Sequence, residues 1–197
     1  MHISALILAA GFSSRMGAFK PLLPVVGLPA IRKTVDSASP ARNIVVVTGH
    51  RRAELERALS ATPAVCVFNS SYSDGMFSSL QTGLAALPDN TDAFFMLPGD
   101  CCAVASSTLS ALIAAYSGEI IYPKYLGRRG HPPLVPARHI AGLLAYCGAD
   151  GARGYLSAQP CSALETDDPG ILLDMDTPED YARLTEYVKH LQTAEAT

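Results

Sequence analysis

Strand-length apolar runs alternate with helix-length segments along the first 123 residues of this 197-residue chain. An unbroken apolar run is typical of a strand buried on both faces, as in a parallel sheet covered by helices. The pattern predicts an α/β fold, namely a single-domain, Rossmann-like open sheet that is mostly parallel with helices on both faces. Ligands of such folds bind outside the carboxyl ends of the strands. We predict strands at residues 4–10, 43–48, 64–68, 93–97 and 119–123, and helices at 28–39, 51–60, 76–87 and 107–116.

The pattern loosens after residue 123, where glycines and prolines between 127 and 136 break regular structure. Beyond them we predict helices at 137–146 and 151–156, short strands near 162–164 and 171–173, and a closing helix over 178–191. The closing helix has a clear start, because Thr177 can cap it, Pro178 fits its first position and Asp180 completes a capping box. We expect one domain over residues 1–197, in which 124–197 extend the first half, 1–123.

Composition and charge exclude several classes of protein. With 49% hydrophobic residues and a net charge of −3, the chain is neither disordered nor broadly basic. Residues 58–123 contain no Lys or Arg, so we expect no nucleic-acid partner. The apolar run at residues 3–10 is too short to span a membrane and has no basic segment before it. Five cysteines without CxxC spacing suit a reduced, cytoplasmic protein.

The strongest motif directly follows the first predicted strand and reads LAAGFSSRMGAFKP from Leu8 to Pro21. Gly11 and Gly17 permit a tight turn whose N–H groups can point at an anion, and Arg15 and Lys20 add positive charge suited to phosphate. The motif is neither a dinucleotide fingerprint nor a Walker A loop, whose glycine and lysine spacing differs. A solvated turn with two exposed cations is the alternative interpretation.

This segment resembles the nucleotide loop L-A-A-G-x-S-x-R-M-G-x-x-K of the MobA-like nucleotidyltransferases, and the resemblance extends from Leu8 to Asp180. It implies that Ala10 and Gly11 lie against the base and ribose, while Arg15 and Lys20 hold the triphosphate and serve catalysis. The residues that it implies for nucleotide binding in this loop are Leu8, Ala9, Ala10, Gly11, Ser13 and Gly17. It makes residues 1–123 the nucleotide-binding half and 124–197 the acceptor-side half.

Two acidic positions match further motifs of that family, a G-D after the strand at 93–97 and a D-x-D-T-P-E-D near the C-terminus. The resemblance implies that Asp100 is catalytic and binds Mg²⁺ together with Asp176 or Asp174; Mg²⁺ typically takes one or two carboxylates plus phosphate oxygens. A turn aspartate and a helix-capping neighbour are the alternatives. After Asp100 the family commonly has Gln-Pro, but this chain has Cys101-Cys102. We expect these cysteines to fill a buried position; contact with a thiol- or metal-bearing substrate is the alternative.

Two further segments imply recognition of the base and of the acceptor. Residues 69–80, NSSYSDGMFSSL, resemble the family's base-reading turn and imply contacts from Gly75, Ser78 and Ser79; ordinary capping of the helix is compatible with this role. Residues 127–133 and 148–153 resemble loops of the molybdenum cofactor cytidylyltransferase branch, although the second has one extra residue. They imply an acceptor site made by Arg128, Arg129, His131 and Arg153. A surface histidine is the alternative for His131.

Together these features predict a Mg²⁺-dependent nucleotidyltransferase that joins a nucleoside monophosphate to a phosphorylated small molecule and releases pyrophosphate. The resemblance favours CTP as donor and molybdopterin as acceptor, with hand-off of the product to a molybdoenzyme. One alternative is a sugar-phosphate or phosphocholine nucleotidyltransferase, or a guanylyltransferase for molybdopterin. The alternative from a different class is a non-catalytic cofactor-binding chaperone.

Overall fold

A computed structural model describes residues 1–195, except for the side chains of Arg15, Gln192, Ala194 and Glu195. Its large sheet follows the order β10-β7-β9-β6-β1-β4-β5, with β8 paired to β7, and a separate hairpin joins β2 and β3. The strands are β1 (Ile3–Leu8), β2 (Pro24–Val25), β3 (Leu28–Pro29), β4 (Asn43–Thr48), β5 (Val65–Phe68), β6 (Ala93–Pro98), β7 (Ile120–Tyr125), β8 (Arg128–Arg129), β9 (Leu134–Pro136) and β10 (Cys161–Glu165).

The large sheet is mostly parallel, which confirms the predicted fold class. Strand β1 runs parallel to β6 and β4, β4 runs parallel to β5, and β10 runs parallel to β7. Strand β9 is antiparallel to both of its neighbours, β6 and β7. Because both β6 and β7 are antiparallel to β9, they run in the same direction as each other, and their carboxyl ends lie at the same edge of the sheet.

Helices cover both faces of the sheet. Successive residues of β1 face opposite sides, so Ala5 and Ile7 pack with one set of helices and Leu6 packs with the other. The first set is α1 (Ala30–Ser37), α2 (Arg52–Leu59) and α4 (Ser106–Ala115), and the second is α3 (Met76–Leu84), α5 (Ile140–Ala145) and α6 (Gly151–Ser157). Burial of both faces explains why the strands lack polar alternation.

The closing helix α7 (Pro178–Glu195) packs on the β2–β3 hairpin through a third apolar cluster that contains Val25, Met175 and Leu184. Its predicted capping box forms, since the Thr177 N–H donates to Asp180 Oδ2 at 3.1 Å and the Asp180 N–H donates to Thr177 Oγ1 at 3.1 Å. No helix within residues 1–195 is both long and apolar enough to cross a lipid bilayer.

Three expectations about elements are wrong. Residues 171–173 are not a strand, because Pro169–Leu172 forms a 3-10 turn that the Asp168 carboxylate caps through the Gly170 N–H at 2.8 Å. The first helix begins at Ala30 instead of residue 28, since Leu28–Pro29 pairs with β2. The prolines between 132 and 136 do not prevent a strand, since β9 lies in the middle of the sheet.

Candidate active site

The glycine-rich loop and the turn that carries Asp100 meet at the carboxyl edge because β1 and β6 are parallel neighbours. Leu8 pairs with Pro98 at the ends of the two strands, and the Gly99 N–H donates to the Leu8 carbonyl oxygen at 2.9 Å. A Cβ atom on Gly99 would lie 3.0 Å from that oxygen, so glycine allows this close approach. The glycine-rich loop that follows β1 and the Gly99–Asp100 turn that follows β6 therefore form one continuous wall.

A cavity of about 320 Å³ opens between this wall and the turn that precedes α3. Its lining contains most of the residues that the glycine loop was expected to contribute, and it also includes residues of the turn that was expected to read the base. The predicted residues that line it are Leu8, Ala9, Ala10, Gly11, Ser13, Lys20, Gly75, Ser79 and Asp100. Gly17 closes the 3-10 turn Ser14–Met16 farther along the loop with φ +67°, and the side chain of Arg15 lies outside the described part of the structure.

Lys20 stands between two of the predicted metal ligands. Its Nζ lies 2.5 Å from Asp176 Oδ1 and 3.2 Å from Asp100 Oδ2, and the Lys20 side chain is only 13% exposed. Burial by itself lowers the pKa of Lys20, but hydrogen bonds and charges from Asp176 and Asp100 outweigh it and raise the pKa above its ordinary value. The ammonium group is therefore firmly charged and marks a position where two carboxylates hold one cation.

This pair of carboxylates fits a Mg²⁺ ion that is shared with phosphates. Among residues 1–195, no group of three or more His, Cys, Asp or Glu side chains could hold a metal ion by itself. Mg²⁺ does not need such a group, because it keeps water and takes phosphate oxygens beside one or two carboxylates. Asp100 and Asp176 already share a cation, so their donor set suits a metal that arrives with a triphosphate.

Asp174, the alternative metal ligand, lies close to these charges. Burial, then the charges of Asp176, Asp180 and Asp100, raise the pKa of Asp174. Like charges that raise a carboxyl pKa indicate an excess of negative charge at the site. A cation bound nearby would relieve such an excess, whether or not Asp174 contacted it.

The turn before α3 contributes one of its two predicted serines to the cavity. Gly75 begins the helix with φ +104°, a conformation that glycine adopts freely. Ser79 lines the cavity and Ser78 does not, and the Ser78 hydroxyl faces the turn, where the carbonyl oxygens of Ser71 and Gly75 both lie at 2.9 Å. The two adjacent serines therefore differ in what they can offer a ligand.

A second cavity of about 890 Å³ adjoins the first, since Leu8, Gly75, Met76 and Pro98 line both. Three of the four residues predicted to bind the acceptor line it: Arg129, His131 and Arg153. Arg128 is exposed and does not line it, because Arg128 and Arg129 are adjacent residues of β8 and adjacent strand residues point to opposite faces.

Arg129 and His131 are held by neighbours around the second cavity. The Arg129 guanidinium lies over the Tyr122 ring, 5.3 Å from its centroid, and Arg129 Nη1 donates to Cys161 Sγ at 3.4 Å. The backbone N–H of His131 donates to the Ile171 carbonyl oxygen at 2.9 Å. Although the His131 residue is exposed on one side, burial of its ring lowers the pKa, and the Asp100 charge only partly opposes this. His131 is therefore a neutral hydrogen-bonding group near neutral pH.

Two aromatic residues at the rim of the first cavity were not predicted from the sequence. Phe12 and Tyr72 both line it; their ring centroids are 5.3 Å apart, and the Phe12 ring lies 5.1 Å from that of His50. Phe12 is 51% exposed, which is unusual for a phenylalanine. The position of Phe12 inside the glycine-rich loop could have indicated this role, since an apolar ring in a polar turn is expected to pack against another ring or a ligand.

The adjacent cysteines lie behind the site. Cys101 and Cys102 are 6% and 5% exposed and pack in two apolar clusters, as expected for a buried position. Burial raises the pKa of both thiols, that of Cys102 to about 12. Neither lines the two cavities described above, which leaves the cysteines no contact with a substrate there.

The glycine loop, the lysine between two aspartates and the neighbouring cavity at the carboxyl ends of a mostly parallel sheet are the arrangement expected of a nucleotidyltransferase. Residues 5–164 match the model of the MobA-like NTP transferase domain, and the chain belongs to this family. It is therefore an enzyme that transfers a nucleotidyl group.

The chain is also similar to individual proteins along nearly its whole length. It is 27% identical over 186 residues to the molybdenum cofactor cytidylyltransferase of Escherichia coli (strain K12), which covers 93% of this chain and 96% of that protein. The crystal structure of Rv0371c from Mycobacterium tuberculosis H37Rv has a TM-score of 0.81 and 28% identity, and covers 94% of this chain and 98% of that one. A structure of Rv0371C in complex with manganese has a TM-score of 0.75 and 26% identity, and covers 94% and 99%.

Proposed function

We propose that the protein transfers CMP from CTP to a phosphorylated acceptor, molybdopterin, and releases pyrophosphate in a Mg²⁺-dependent reaction. The observation that carries this proposal is Lys20, which bridges Asp100 and Asp176 beside a larger cavity lined by Arg129, His131 and Arg153. The choice of CTP and molybdopterin is supported by the similarity to a molybdenum cofactor cytidylyltransferase over 93% of the chain. On this proposal, the product is passed on to a molybdoenzyme.

The two adjoining cavities suit an in-line transfer between two bound phosphates. The glycine loop and Ser79 hold the nucleoside in the first cavity, and Lys20 neutralises charge on the triphosphate. Arg129 and Arg153 bind the acceptor phosphate in the second cavity and aim one of its oxygens at the α-phosphorus. That oxygen forms the new P–O bond as the bond to pyrophosphate breaks.

The acceptor needs no general base, because a phosphate is already ionised near neutral pH. This agrees with His131, whose lowered pKa keeps it neutral and suits it to a hydrogen bond with the acceptor instead of proton removal. When bound, Mg²⁺ held by Asp100 and Asp176 supplies electrostatic stabilisation of the charge on the phosphates.

The variant Asp100→Asn tests this function, because it removes a carboxylate charge with little change in shape. We expect pyrophosphate release with CTP, Mg²⁺ and molybdopterin to fall by roughly 100-fold or more. The nucleotide-free variant should still fold, as measured by thermal unfolding. Asp36→Asn is the matched control, because Asp36 pairs with Arg32 on α1 and its side chain is 52% exposed; its release rate should equal that of the wild type.

The wild-type protein is assayed with CTP, GTP, ATP and UTP against molybdopterin, sugar phosphates and phosphocholine. Release with a sugar phosphate or phosphocholine, and none with molybdopterin, would contradict the proposed acceptor. Preference for GTP would contradict the proposed base. Nucleotide binding without release for every acceptor would contradict catalysis and favour a cofactor-binding chaperone.

A further inference from the structure

Asn69 is a buried amide at the carboxyl end of β5, and its hydrogen bonds define which way its side chain points. Its Oδ1 accepts from the Ser71 N–H at 2.9 Å, and a backbone N–H can only donate. The other atom of the amide must therefore be the nitrogen. Asn69 Nδ2 donates to Ser78 Oγ at 2.9 Å and to Ser79 Oγ at 3.0 Å, so both amide hydrogens are used.

The two serine hydroxyls that accept from Asn69 differ in what happens to their own protons. The Ser78 hydroxyl proton is directed at the carbonyl oxygens of Ser71 and Gly75. Ser79 Oγ has no second hydrogen-bond partner within the described chain, although Ser79 is only 3% exposed. Ser79 lines the first cavity, so its proton is available to whatever occupies that cavity.

We infer that Asn69 is a positioning residue that fixes the Ser79 hydroxyl as a hydrogen-bond donor toward the nucleoside. The amide nitrogen can only donate to Ser79 Oγ and cannot accept its proton, so the hydroxyl proton stays available for an acceptor on the ligand. A buried donor without an acceptor is costly, and a ligand that supplies an acceptor recovers this cost. The cavity therefore selects a nucleoside with an acceptor atom, on base or ribose, opposite Ser79.

This inference rests on the proposed function and refines it, because it assigns a direction to one contact in the nucleotide site. It also distinguishes Asn69 from a merely structural residue. A structural role affects the binding of all nucleotides equally. A role in fixing the direction of the Ser79 hydrogen bond affects the comparison between nucleotides that have and lack the acceptor.

The test measures dissociation constants by calorimetry with Mg²⁺ and CTP, and with CTP analogues that each remove or weaken one acceptor. The analogues are 3-deaza-CTP for the ring nitrogen, 2-thio-CTP for the base carbonyl, and 2′-deoxy-CTP and 3′-deoxy-CTP for the ribose oxygens. We expect one analogue to bind the wild type roughly 3- to 10-fold more weakly than CTP does, as for loss of one hydrogen bond. In Ser79→Ala, CTP binding should weaken by a similar factor and the penalty for that analogue should disappear.

Asn69→Asp keeps the shape of the side chain but reverses the direction of its hydrogen bond to Ser79. The carboxylate accepts the Ser79 proton, so the hydroxyl presents only a lone pair to the cavity. The added negative charge weakens binding of every triphosphate alike and cancels in the ratio of analogue to CTP. We expect that ratio to fall to about one, as in Ser79→Ala. Ser110→Ala on α4 is the matched control and should retain the wild-type ratios.

The outcomes separate the two levels of the argument. One outcome is that the wild-type protein binds CTP while Ser79→Ala or Asn69→Asp binds each analogue, relative to CTP, as weakly as the wild type does. In that case the inference is overturned and the proposed function stands. If the wild-type protein does not bind CTP with Mg²⁺, the proposed function is overturned, and the inference that rests on it is overturned as well. Thermal unfolding of each variant without nucleotide confirms that it is folded.

Discussion

Replacement of Lys20 by methionine isolates the cation position between Asp100 and Asp176. The substitution keeps an unbranched side chain but removes the ammonium group, which leaves the two carboxylates without the charge that Lys20 places 3.2 Å and 2.5 Å from them. We expect Lys20→Met to be less stable than the wild type without nucleotide, and Mg²⁺ alone to restore much of the loss. Without nucleotide, Mg²⁺ should stabilise the wild type far less, because Lys20 occupies the position as long as no triphosphate competes for its ammonium group.

The size of the effect follows from the two contacts. A hydrogen bond between charged groups contributes roughly 1.5–3 kcal/mol when shielded from water, and an exposed pair contributes well under about 1 kcal/mol. The side chains of Lys20 and Asp100 are 13% and 16% exposed, but that of Asp176 is 35% exposed, so its contact counts for less. We expect a loss of about 2 kcal/mol. For a chain of this length, this lowers Tm by roughly 4–8 °C.

The assay is thermal unfolding with and without about 5 mM Mg²⁺, at ionic strength matched with NaCl so that screening does not imitate binding. Lys124→Met is the matched control, because Lys124 pairs with Glu165 at 2.8 Å on the surface; it should lose less than about 1 kcal/mol and gain nothing from Mg²⁺. The pKa of Lys20 is raised in the folded state, so the contribution of its charge to stability is complete below the unfolded-state pKa of about 10.4. That contribution is lost as pH rises through the folded-state pKa. Equal stabilisation of wild type and Lys20→Met by Mg²⁺ would refute the reasoning.

Three further predictions concern stability. The pKa of Asp174 is raised, so the folded state binds this proton more tightly than the unfolded state does, and stability rises as pH falls through the folded-state pKa. Asp174→Asn removes the charge that is unfavourable near neutral pH and should therefore raise Tm there by roughly 1–2 °C. An unchanged or lower Tm contradicts this prediction. Burial, with a smaller effect of Arg138, lowers the pKa of His139, so the unfolded state binds its proton more tightly; urea unfolding should show stability falling below about pH 6.5, and His139→Phe should fall less steeply. A Cβ on Gly83 would lie 2.7 Å from Val47 Cγ2 and closer still to Leu6, so Gly83→Ala should lower the free energy of unfolding by about 2 kcal/mol in urea, and wild-type stability would contradict the packing of α3.

The parallel core of the fold could be predicted because its strands are long, apolar and buried on both faces. Strand β9 could not, because it has only three residues, one of them Pro136, and is stabilised by pairing with β7 and with β6, of which β6 is distant in sequence. The 3-10 turn Pro169–Leu172 was also unpredictable. Its apolar residues read as a strand, but the buried Asp168 carboxylate, which also accepts from the Ala105 N–H at 2.9 Å, favours the turn.

The sequence predicts the position of candidate site residues that directly follow a strand. It does not predict those parts of the site that depend on side-chain contacts between distant segments. Loop residues after β1 and Asp100 after β6 could be placed at one edge from the sequence alone. The Lys20 contact with Asp176 joins residues from opposite ends of the chain, and the sequence gives no distance for it. Ser78 and Ser79 are chemically identical, and Asn69 donates a hydrogen bond to each of them. They differ because the Ser78 hydroxyl donates to the carbonyl oxygens of Ser71 and Gly75, whereas Ser79 lines the cavity, and the sequence does not reveal this difference.

The position of β9 has a consequence for how new specificities arise. Residues 126–133 join β7 to its neighbour β9 and contain β8, which pairs with the end of β7. The pairing of β6, β1, β4 and β5 does not involve this connection, so a change of its side chains leaves those four strands in place. This short connection carries Arg129 and His131, so on the proposed function an exchange of its residues alters acceptor preference and leaves the parallel strands intact.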